Sequence, residues 1–493
     1  MNDRPHTIAF VDLAPRPGGS IVSLLLLAQG LAERRRLGDD PAPLYRLAVV
    51  LNAANPAVAR FRDSGFFAGG VLTIGSRQGL GDDYPALVER ARSSGPLARL
   101  RRLPAFLAAW QGAGALRRLL ADTLPQARRL RNLLAPVQPD LVHLNDIVPV
   151  SRAGILAASW LQRPIVCHVR ALDPLTWTDR WLTRRVDGFI YISQAVAEQQ
   201  RQAGAQVRRG QVAPNAVNPD DFPPTLRSGA ARQELGIAHD AFVVGSLGRL
   251  VTWKGHHVAL TAFAAFARQC PTAHLLIVGA PDVAEPDLEQ SLRRLAVELG
   301  IADRVTFAGQ RDDVPQVMAT LDVLCHCAIE PEPFGRVVIE GMASRRPVIA
   351  SAAGGVLEII ESGVNGLLVP PGDAAALAAA LTDLWQHPSK PLAWPRPAVS
   401  GSKRTTRSPN MWPASKPCTT TSGARLAAPG QVGRHERTCP PIFTLVAVAA
   451  TDGPGCRHRD PGPGAWPHPL GCAAPAADGG AGRGGLCPLA RHA

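Results

Sequence analysis

The sequence predicts an α/β protein with two doubly wound parallel sheets, and three observations support this prediction. Short apolar runs rich in β-branched residues alternate with helical stretches over residues 1–218 and again over residues 241–387. A glycine turn follows the first strand of each series, at Gly18 and at Gly248. A proline-rich segment within residues 219–240 reads as a linker. We therefore expect two domains at 1–218 and 241–387, followed by a low-complexity tail at 388–493.

The first domain begins with a strand, a glycine turn and a helix, which places the turn at the edge of the sheet where ligands bind. From the dipeptide Gly18-Gly19 alone, a tight turn without ligand contact is the favoured interpretation. Further strand and helix units indicate a parallel sheet that is covered on both faces. The expected strands are Thr7–Ala14, Tyr45–Leu51, Gly70–Ile74, Asp140–Leu144, Pro164–Val169 and Gly188–Ser193.

The segment 92–134 carries many arginines among leucines and aromatic residues, which is typical of basic amphipathic helices. One interpretation is an interfacial patch that binds anionic lipid, where a lipid-linked acceptor would be found. Solvated arginines on helices that pack against the core are the commoner arrangement. Both interpretations stay open.

The second domain begins with the stretch 242–250, in which a strand delivers Gly248 and Arg249 to a loop. Lys254 and Gly255 then start the next helix. Two cations five residues apart around a glycine loop suit a diphosphate, although a single basic residue in a loop is more often merely solvated. The expected elements that follow are the strand Ala273–Gly279, the helix Leu288–Leu299, the strands Val305–Gln310 and Pro347–Ala350, and the helix Ala374–Trp385.

The stretch 329–373 holds two glutamates eight positions apart, Glu332 and Glu340. Pro333, Phe334 and Gly335 read as a turn that opens into a helix with an apolar face. Glu332 then lies at the helix mouth and Glu340 about two turns further on, so the carboxylates can contact different parts of one elongated ligand. Next, Gly354-Gly355 allows a close backbone approach. These features together predict a ligand cleft.

The stretch holds, in this order, Glu332, seven residues, Glu340, PVIAS, GG, Glu358 and NGLLVPPGD. This order resembles the donor-sugar site of the retaining glycosyltransferase family four, which has the GT-B fold. The resemblance covers roughly residues 6–387. It implies two Rossmann-like domains that face a central cleft. It also implies a nucleotide-diphosphate sugar as donor and no metal or other cofactor.

The resemblance carries over to particular residues. GRL, three residues, KG resembles the family's diphosphate clamp, so Arg249 and Lys254 would hold the diphosphate and Glu340 the ribose. Glu332 would bind the sugar hydroxyls. His168, at the end of the strand PIVCHV, would contact the transferred sugar, whereas His143 has a less certain role. The implied catalytic residues are Glu332 and His168, and the implied donor-binding residues are Gly18, Gly19, Arg249, Lys254, Gly309, Phe334, Gly335 and Glu340.

The function implied by the resemblance is transfer of a sugar, with retained anomeric configuration, to a glycan or lipid-linked acceptor, as in bacterial surface polysaccharide or glycoconjugate synthesis. Two alternatives remain: an inactive relative with a damaged C-terminal region, or another GT-B enzyme such as a nucleotide-sugar epimerase. A binding module without activity is least favoured. The sequence names neither the sugar, the base nor the acceptor.

Charge and cysteine content exclude other classes. The formal net charge is +13, but residues 391–493 hold 12 Lys+Arg against 4 Asp+Glu, which leaves 41 against 36 before them, so a nucleic-acid partner is not favoured. Cys325-His326-Cys327 lies in an apolar run, and core thiols are favoured there over a metal site. No signal peptide or run of ~20 apolar residues is found, so the expected location is cytoplasmic, with a peripheral position at the inner membrane face as an option.

The predicted tail covers residues 388–493. From position 391 onward it holds 16 of the 45 prolines and five of the nine cysteines, with little apolar periodicity. Disorder is one explanation. A second hypothesis is a frameshift near codons 386–392, because shifted reading across 401–422 can give EHVARIEALYDDF, an amphipathic pattern similar to the family's C-terminal helices. Sequencing the gene at that point distinguishes the two.

Overall fold

The computed structural model describes residues 4–15, 18–34, 43–75, 112, 114–223 and 229–387. Residues 92–111 and 113 of the basic segment and the whole tail 388–493 lie outside the described residues. The proposals of a membrane patch, a disordered tail and a frameshift therefore stay predictions. Among the described residues, no helix is long and apolar enough to cross a bilayer.

The first sheet contains only parallel strand pairs. Its strands are β1 His6–Asp12, β2 Tyr45–Asn52, β3 Val71–Ile74, β4 Leu141–Leu144, β5 Ile165–Val169, β6 Gly188–Tyr191 and β7 Gly210–Val212. They lie in the order β3-β2-β1-β4-β5-β6-β7. The register places Ile8 of β1 beside Leu47 on one side and Leu141 on the other.

The helices of this part follow the strands in alternation. They are α1 Gly19–Ala32, α2 Val58–Asp63, α3 Leu124–Leu134, α4 Val148–Trp160, α5 Trp177–Thr183 and α6 Gln194–Gln202, and a π-helical turn, Leu119–Thr123, precedes α3. The N-terminus of α5 has a capping box in which Thr176 and Asp179 exchange hydrogen bonds. Ser193 caps α6 by accepting from Val196 N.

The second sheet is also parallel. Its strands are β8 Phe242–Leu247, β9 Ala273–Val278, β10 Val305–Phe307, β11 Val323–His326, β12 Val348–Ser351 and β13 Leu367–Val369, and its helices are α7 Gly229–Glu234, α8 His256–Ala267, α9 Leu288–Glu298, α10 Val314–Thr320, α11 Arg336–Ala343 and α12 Ala374–Gln386. The order is β10-β9-β8-β11-β12-β13, which repeats that of the first six strands.

Burial explains why the strands read as continuous apolar runs. On β1, Ile8 and Phe10 belong to one buried cluster, whereas Ala9 and Val11 belong to another on the opposite face. Since successive side chains of a strand point to opposite faces, both faces of the sheet are covered. The predicted fold class, two doubly wound parallel α/β sheets, is confirmed.

Several predicted strands end one to three residues earlier than expected, among them β1 at Asp12 and β6 at Tyr191. The largest difference is at β10, which stops at Phe307 instead of Gln310, because Gly309 has a φ of 65°. β8 stops at Leu247, and Gly248, with a φ of 148°, turns the chain into the loop as expected.

The segment 219–240 contains a 3₁₀ turn, Pro219–Asp221, and the helix α7. Arg232 of α7 is buried and donates to the backbone oxygens of Thr320 and Ala241 and to the carboxylate of Asp322. This cluster ties the segment to the second sheet. Residues 224–228 lie outside the described part.

Side chains connect the two sheet units beside the start of α6. Ser193 donates to the backbone oxygen of Pro333. The carboxylate of Glu358 accepts from the backbone N–H groups of Gln194 and Ala195, the first residues of α6. A carboxylate is favoured there because a helix N-terminus presents unpaired N–H groups and a partial positive charge.

In both sheets the strand order reverses beside the first strand, between β1 and β4 and between β8 and β11. In open α/β sheets, ligands bind outside the carboxyl ends of the strands at such a reversal. Asp12 ends β1 and Asn145 follows β4, whereas Gly248 follows β8 and His326 ends β11. The topology therefore selects these four positions as the place to look for a site.

Candidate functional site

Lys254, Glu332 and His326 form a cluster at the reversal of the second sheet, in which Glu332 and His326 are buried and Lys254 is partly buried. Lys254 Nζ donates to Glu332 Oε2 at 2.5 Å, and His326 Nε2 lies 3.1 Å from the same oxygen. A carboxylate oxygen only accepts, so His326 donates from Nε2. The ammonium group also lies 4.4 Å from the ring centre of Trp253, within cation–π range. The sequence linked Lys254 with Arg249, but the structure pairs it with Glu332.

Gly255 fixes the position of Lys254. It has a φ of 70°, and a Cβ atom at this residue would lie 1.9 Å from the backbone oxygen of Cys327. In addition, Ile329 N donates to Trp253 O at 2.8 Å. The loop that carries Lys254 therefore packs backbone to backbone against the chain that leaves β11, which leads directly to Glu332.

The double glycine predicted to allow a close backbone approach serves the loop of Glu332. Gly355 N donates to Glu332 O at 2.7 Å, and the two segments form a parallel bridge at Gly354. A Cβ atom on Gly354 would lie 2.2 Å from Glu332 O. The backbone that comes close is thus that of Glu332 itself, and the glycines hold its carboxylate in place.

The surroundings of Glu332 keep it ionised. Burial alone would raise its pKa, but the hydrogen bond from His326 and the charge of Lys254 outweigh burial and hold the pKa at about 2. The side chain is 11% exposed. It is therefore a fixed anion with a paired cation across the neutral pH range.

We expect acid to weaken the fold partly through Glu332. Its pKa in the folded state is about 2 and its ordinary value is 4.5, so the unfolded chain takes up the proton first. The resulting stabilisation is present above pH 4.5 and is lost as the pH falls towards 2. Urea unfolding measures how much stability is lost between about pH 7 and about pH 3.5. This loss should be smaller in Glu332→Gln than in the wild type by roughly 1 kcal/mol. An equal loss in wild type and variant would contradict this prediction.

Glu340 lies in α11, where it forms an ion pair with Arg336. Arg336 Nη2 donates to Glu340 Oε1 at 2.6 Å, and Nη1 donates to Ser23 Oγ of α1 at 3.0 Å. Burial raises the pKa of Glu340, and Arg336 opposes this. A Cβ atom on Gly19 would lie 3.0 Å from Arg336 Cδ. Arg336 thus connects the glycine turn of the first sheet unit to the second glutamate.

Arg249 follows Gly248 into the loop after β8. Its guanidinium is 60% exposed and forms an ion pair with Asp282 at 2.9 Å. Its backbone oxygen lies 3.1 Å from Nε2 of His256, a buried residue whose Nδ1 is 2.9 Å from Ser246 Oγ. His256 therefore braces the loop that presents Arg249.

Three further predicted donor-binding residues, Phe334, Gly335 and Gly309, present no polar side chain. Phe334 is 3% exposed and lies in the apolar core that contains Val338 and Val356. Gly335 precedes α11 with a φ of 99°. Gly309 has a φ of 65°, and its backbone oxygen accepts from Gly279 N at 2.8 Å.

At the reversal of the first sheet, a chain of hydrogen bonds runs from Asp12 to His168. Asn145 Nδ2 donates to Asp12 Oδ2 at 2.8 Å, and Arg170 Nε donates to Asn145 Oδ1 at 2.8 Å. Arg170 Nη2 lies 3.2 Å from Nδ1 of His168. His168 is 4% exposed, and its ring centre lies 5.5 Å from that of His143.

Both histidines are neutral in these surroundings. Burial, assisted by the charge of Arg170, lowers the pKa of His143 to about 3 and that of His168 well below its ordinary value. Near them, burial raises the pKa of Asp146 to about 7, and the charge of Asp12 adds to this effect. Asp146 is therefore the group of this edge that titrates near neutral pH.

Sequence reasoning missed four residues of the site: Asn145, Arg170, His326 and Arg336. Asn145 and Arg170 follow strand ends and carry a weak signal, since polar residues there face the ligand edge. His326 was considered only as part of a cysteine pair. Arg336 directly follows the Pro-Phe-Gly turn, but nothing in its local sequence shows that it reaches Ser23.

The remaining polar groups give no second centre. Cys167, Cys270, Cys325 and Cys327 are all buried free thiols. No group of three or more His, Cys, Asp or Glu suited to a metal occurs among the described residues. A cavity of about 170 Å³ is lined by residues that include Phe222, Pro315 and Arg345, next to the linker, and none of the residues discussed above lines it.

Comparison with known proteins identifies the family. Residues 228–397 match the family model described as glycosyl transferases group 1, and residues 88–221 match that of glycosyltransferase family 4. A 2-deoxystreptamine glucosyltransferase from Streptomyces kanamyceticus is 30% identical over 305 residues, which cover 59% of this chain and 71% of that protein. The chain belongs to the group 1 glycosyltransferases.

Other group 1 glycosyltransferases match shorter parts. A D-inositol 3-phosphate glycosyltransferase from Stackebrandtia nassauensis is 36% identical over 179 residues, so the match spans 35% of this chain but only 40% of that relative. Among solved structures, HepE of Anabaena, in complex with UDP and glucose, superimposes with a TM-score of 0.61 at 27% identity. That likeness covers 78% of this chain and 91% of the HepE chain, and the GT-B arrangement of two Rossmann-like domains is confirmed.

Proposed function

We propose that this chain is a retaining glycosyltransferase that moves a sugar from a nucleotide-diphosphate donor to a glycan or lipid-linked acceptor. The observation that carries the proposal is the pairing of Lys254 with Glu332 at the strand-order reversal of the second sheet. A partly buried cation beside a fixed carboxylate suits a ligand that has a diphosphate next to sugar hydroxyls.

The proposed roles follow the site from one end to the other. Lys254 and Arg249 neutralise the diphosphate as it leaves, and Glu332 accepts hydrogen bonds from the sugar hydroxyls. Glu340, on the helix that begins after Gly335, takes the ribose hydroxyls, and Gly309 borders the base. The backbone amides at the start of α11 add to the positive potential that favours an anion.

His168, with Gly18 and Gly19, belongs to the side of the first sheet unit. Arg336 contacts Ser23 and lies against Gly19, which supports a site that both units share. Two relatives suggest which donor to try. HepE was crystallised with UDP and glucose, and the Streptomyces relative is a glucosyltransferase. UDP-glucose is therefore the first donor to test.

Donor binding and stereochemistry test the proposal separately. In thermal shift assays with UDP-, GDP- and ADP-glucose, the full chain should be stabilised by at least one donor, because a ligand that binds only the folded state raises the unfolding temperature. The linkage of the product made from that α-linked donor, read by NMR, should also be α. A β-linked product would overturn the retaining mechanism, and no stabilisation by any of the three donors would overturn the donor class.

A product with an inverted hydroxyl on the donor sugar, formed without an acceptor, would instead identify a nucleotide-sugar epimerase. The control is Arg201→Ala, which removes one partner of an exposed ion pair with Glu198 and should not alter the thermal shift.

A further inference from the structure

Arg170 is a charged side chain to which the proposed roles above assign nothing. It is 8% exposed, although a guanidinium is costly to bury. Burial lowers its pKa to about 9, so it still carries its charge at neutral pH. Three side chains satisfy it: Asn145 at Nε, Asn215 at Nη1 and His168 at Nη2.

The contact with His168 determines where the imidazole carries its proton. A guanidinium has only N–H donors and no acceptor. Since Arg170 Nη2 lies 3.2 Å from Nδ1, this ring nitrogen must accept, and the single proton of the neutral ring is on Nε2. Nε2 is buried and has no hydrogen-bond partner among the described residues.

A buried N–H without a partner is costly, and such groups are rare in native proteins. His168 lies at the carboxyl edge of β5, where ligands of this fold bind, so an atom of the ligand is the expected partner. A donor N–H requires an oxygen lone pair, such as that of a sugar hydroxyl.

We propose that Arg170 is a positioning residue which locks His168 as a neutral hydrogen-bond donor through Nε2, so that His168 binds a hydroxyl oxygen of the transferred sugar or of the acceptor. This inference rests on the proposed function and assigns the polarity of one contact in it. It also means that His168 does not take up a proton at Nε2 during transfer. Asn145 and Asp12 act behind Arg170, since Asn145 accepts from Arg170 and donates to Asp12.

The other ionisable groups around the ring leave this polarity intact. His143 contributes an uncharged ring from the neighbouring strand, and Arg336 lies close enough to Arg170 to lower its pKa further. Asp12 and Asp146 favour the charged form of Arg170. The group facing Nδ1 is thus a cation whose charge nearby carboxyl groups favour.

The tautomer can be measured directly on the full chain without any sugar. With ¹⁵N-labelled histidine, two-bond ¹H–¹⁵N correlation spectra distinguish a protonated Nε2 from a protonated Nδ1, and His168→Gln assigns the signals. The wild type should show a bare Nδ1 and a protonated Nε2 at neutral pH. A protonated Nδ1, or an imidazolium, would overturn the inference.

Two variants test the role of Arg170. Arg170→Met keeps an unbranched stem but removes every donor, so His168 should shift towards a mixture of tautomers. The turnover number should fall by about tenfold, the cost of one lost hydrogen bond, while the affinity for UDP stays within about twofold. Arg170→Lys keeps a donor and should restore the tautomer. Arg201→Ala, which removes an exposed arginine paired with Glu198, is the control and should leave the tautomer unchanged.

An Arg170→Met spectrum identical to that of the wild type would contradict the positioning role. If this variant does not fold, the wild-type spectrum still decides the question. The tautomer and the transfer assay fail independently: a protonated Nε2 without transfer refutes only the proposed function, and transfer with a protonated Nδ1 refutes only this inference.

Discussion

Lys254→Ala should reduce transfer from UDP-glucose by about 10³-fold, because it removes the cation proposed to stabilise the leaving diphosphate. The same change leaves the carboxylate of Glu332 buried with only His326 as partner. Breaking a buried ion pair at one side is costly, and we expect roughly 3 kcal/mol of lost stability. Initial rates and urea unfolding of the full chain, measured at the same pH, give both quantities.

The matched comparison is Arg201→Ala, which removes an exposed cation whose partner is Glu198. This variant should keep the wild-type rate and change stability by less than about 1 kcal/mol. To separate folding from chemistry, rates are compared at a temperature where circular dichroism shows each variant to be folded. Turnover by folded Lys254→Ala within about tenfold of the wild type would refute the assigned role, because loss of an essential charge contact costs more.

Gly255→Ala should destabilise the protein by about 3–5 kcal/mol, because backbone strain and overlap act together. At a φ of 70° a Cβ atom is strained, and here it would also meet the Cys327 oxygen at 1.9 Å. The added Cβ atom and the Cys327 oxygen are both attached to backbone that is fixed by packing, so neither atom can move at low cost. A shift of this loop also moves Lys254, and donor-induced thermal stabilisation should be lost.

Gly300→Ala is the control for Gly255→Ala. Gly300 has a φ of 69°, almost the same as Gly255, but a Cβ atom there meets no heavy atom within 4 Å. Only the strain of about 1–2 kcal/mol applies. The difference between the two variants in free energy of unfolding, measured in urea, therefore gives the cost of the overlap. Equal losses of stability would show that the packing of Gly255 on Cys327 does not matter.

Much of the fold could be predicted from the sequence because local patterns encode it. Parallel strands covered on both faces need continuous apolar runs, and glycine turns after the first strands mark the ligand edges. The end of the strand before Gly309 was placed too late, since an apolar pattern does not reveal a positive φ. The family followed from Glu332, Glu340 and the GRL and KG motifs, which are short and ordered.

Contacts between distant segments were not predictable in this way. Lys254 and Glu332 are 78 positions apart, and Arg336 and Ser23 are 313 positions apart. No local rule connects such residues. The sequence suggested that Lys254 acts with Arg249, yet it is the packing of Gly255 on Cys327 that carries Lys254 to Glu332.

By itself, the sequence determined the fold class, the type of most main elements, the family and the residue types of the proposed donor site. The tertiary structure alone decided which charges meet, that Glu332 stays ionised in a buried place, and on which nitrogen His168 carries its proton. The physical reason is that charge state and tautomer depend on burial and on the partner a few ångströms away. Glu332 meets Lys254 from a segment 78 positions away, which only the fold brings close. Arg170 lies two residues after His168, but it reaches the ring because the buried strand end holds both side chains together.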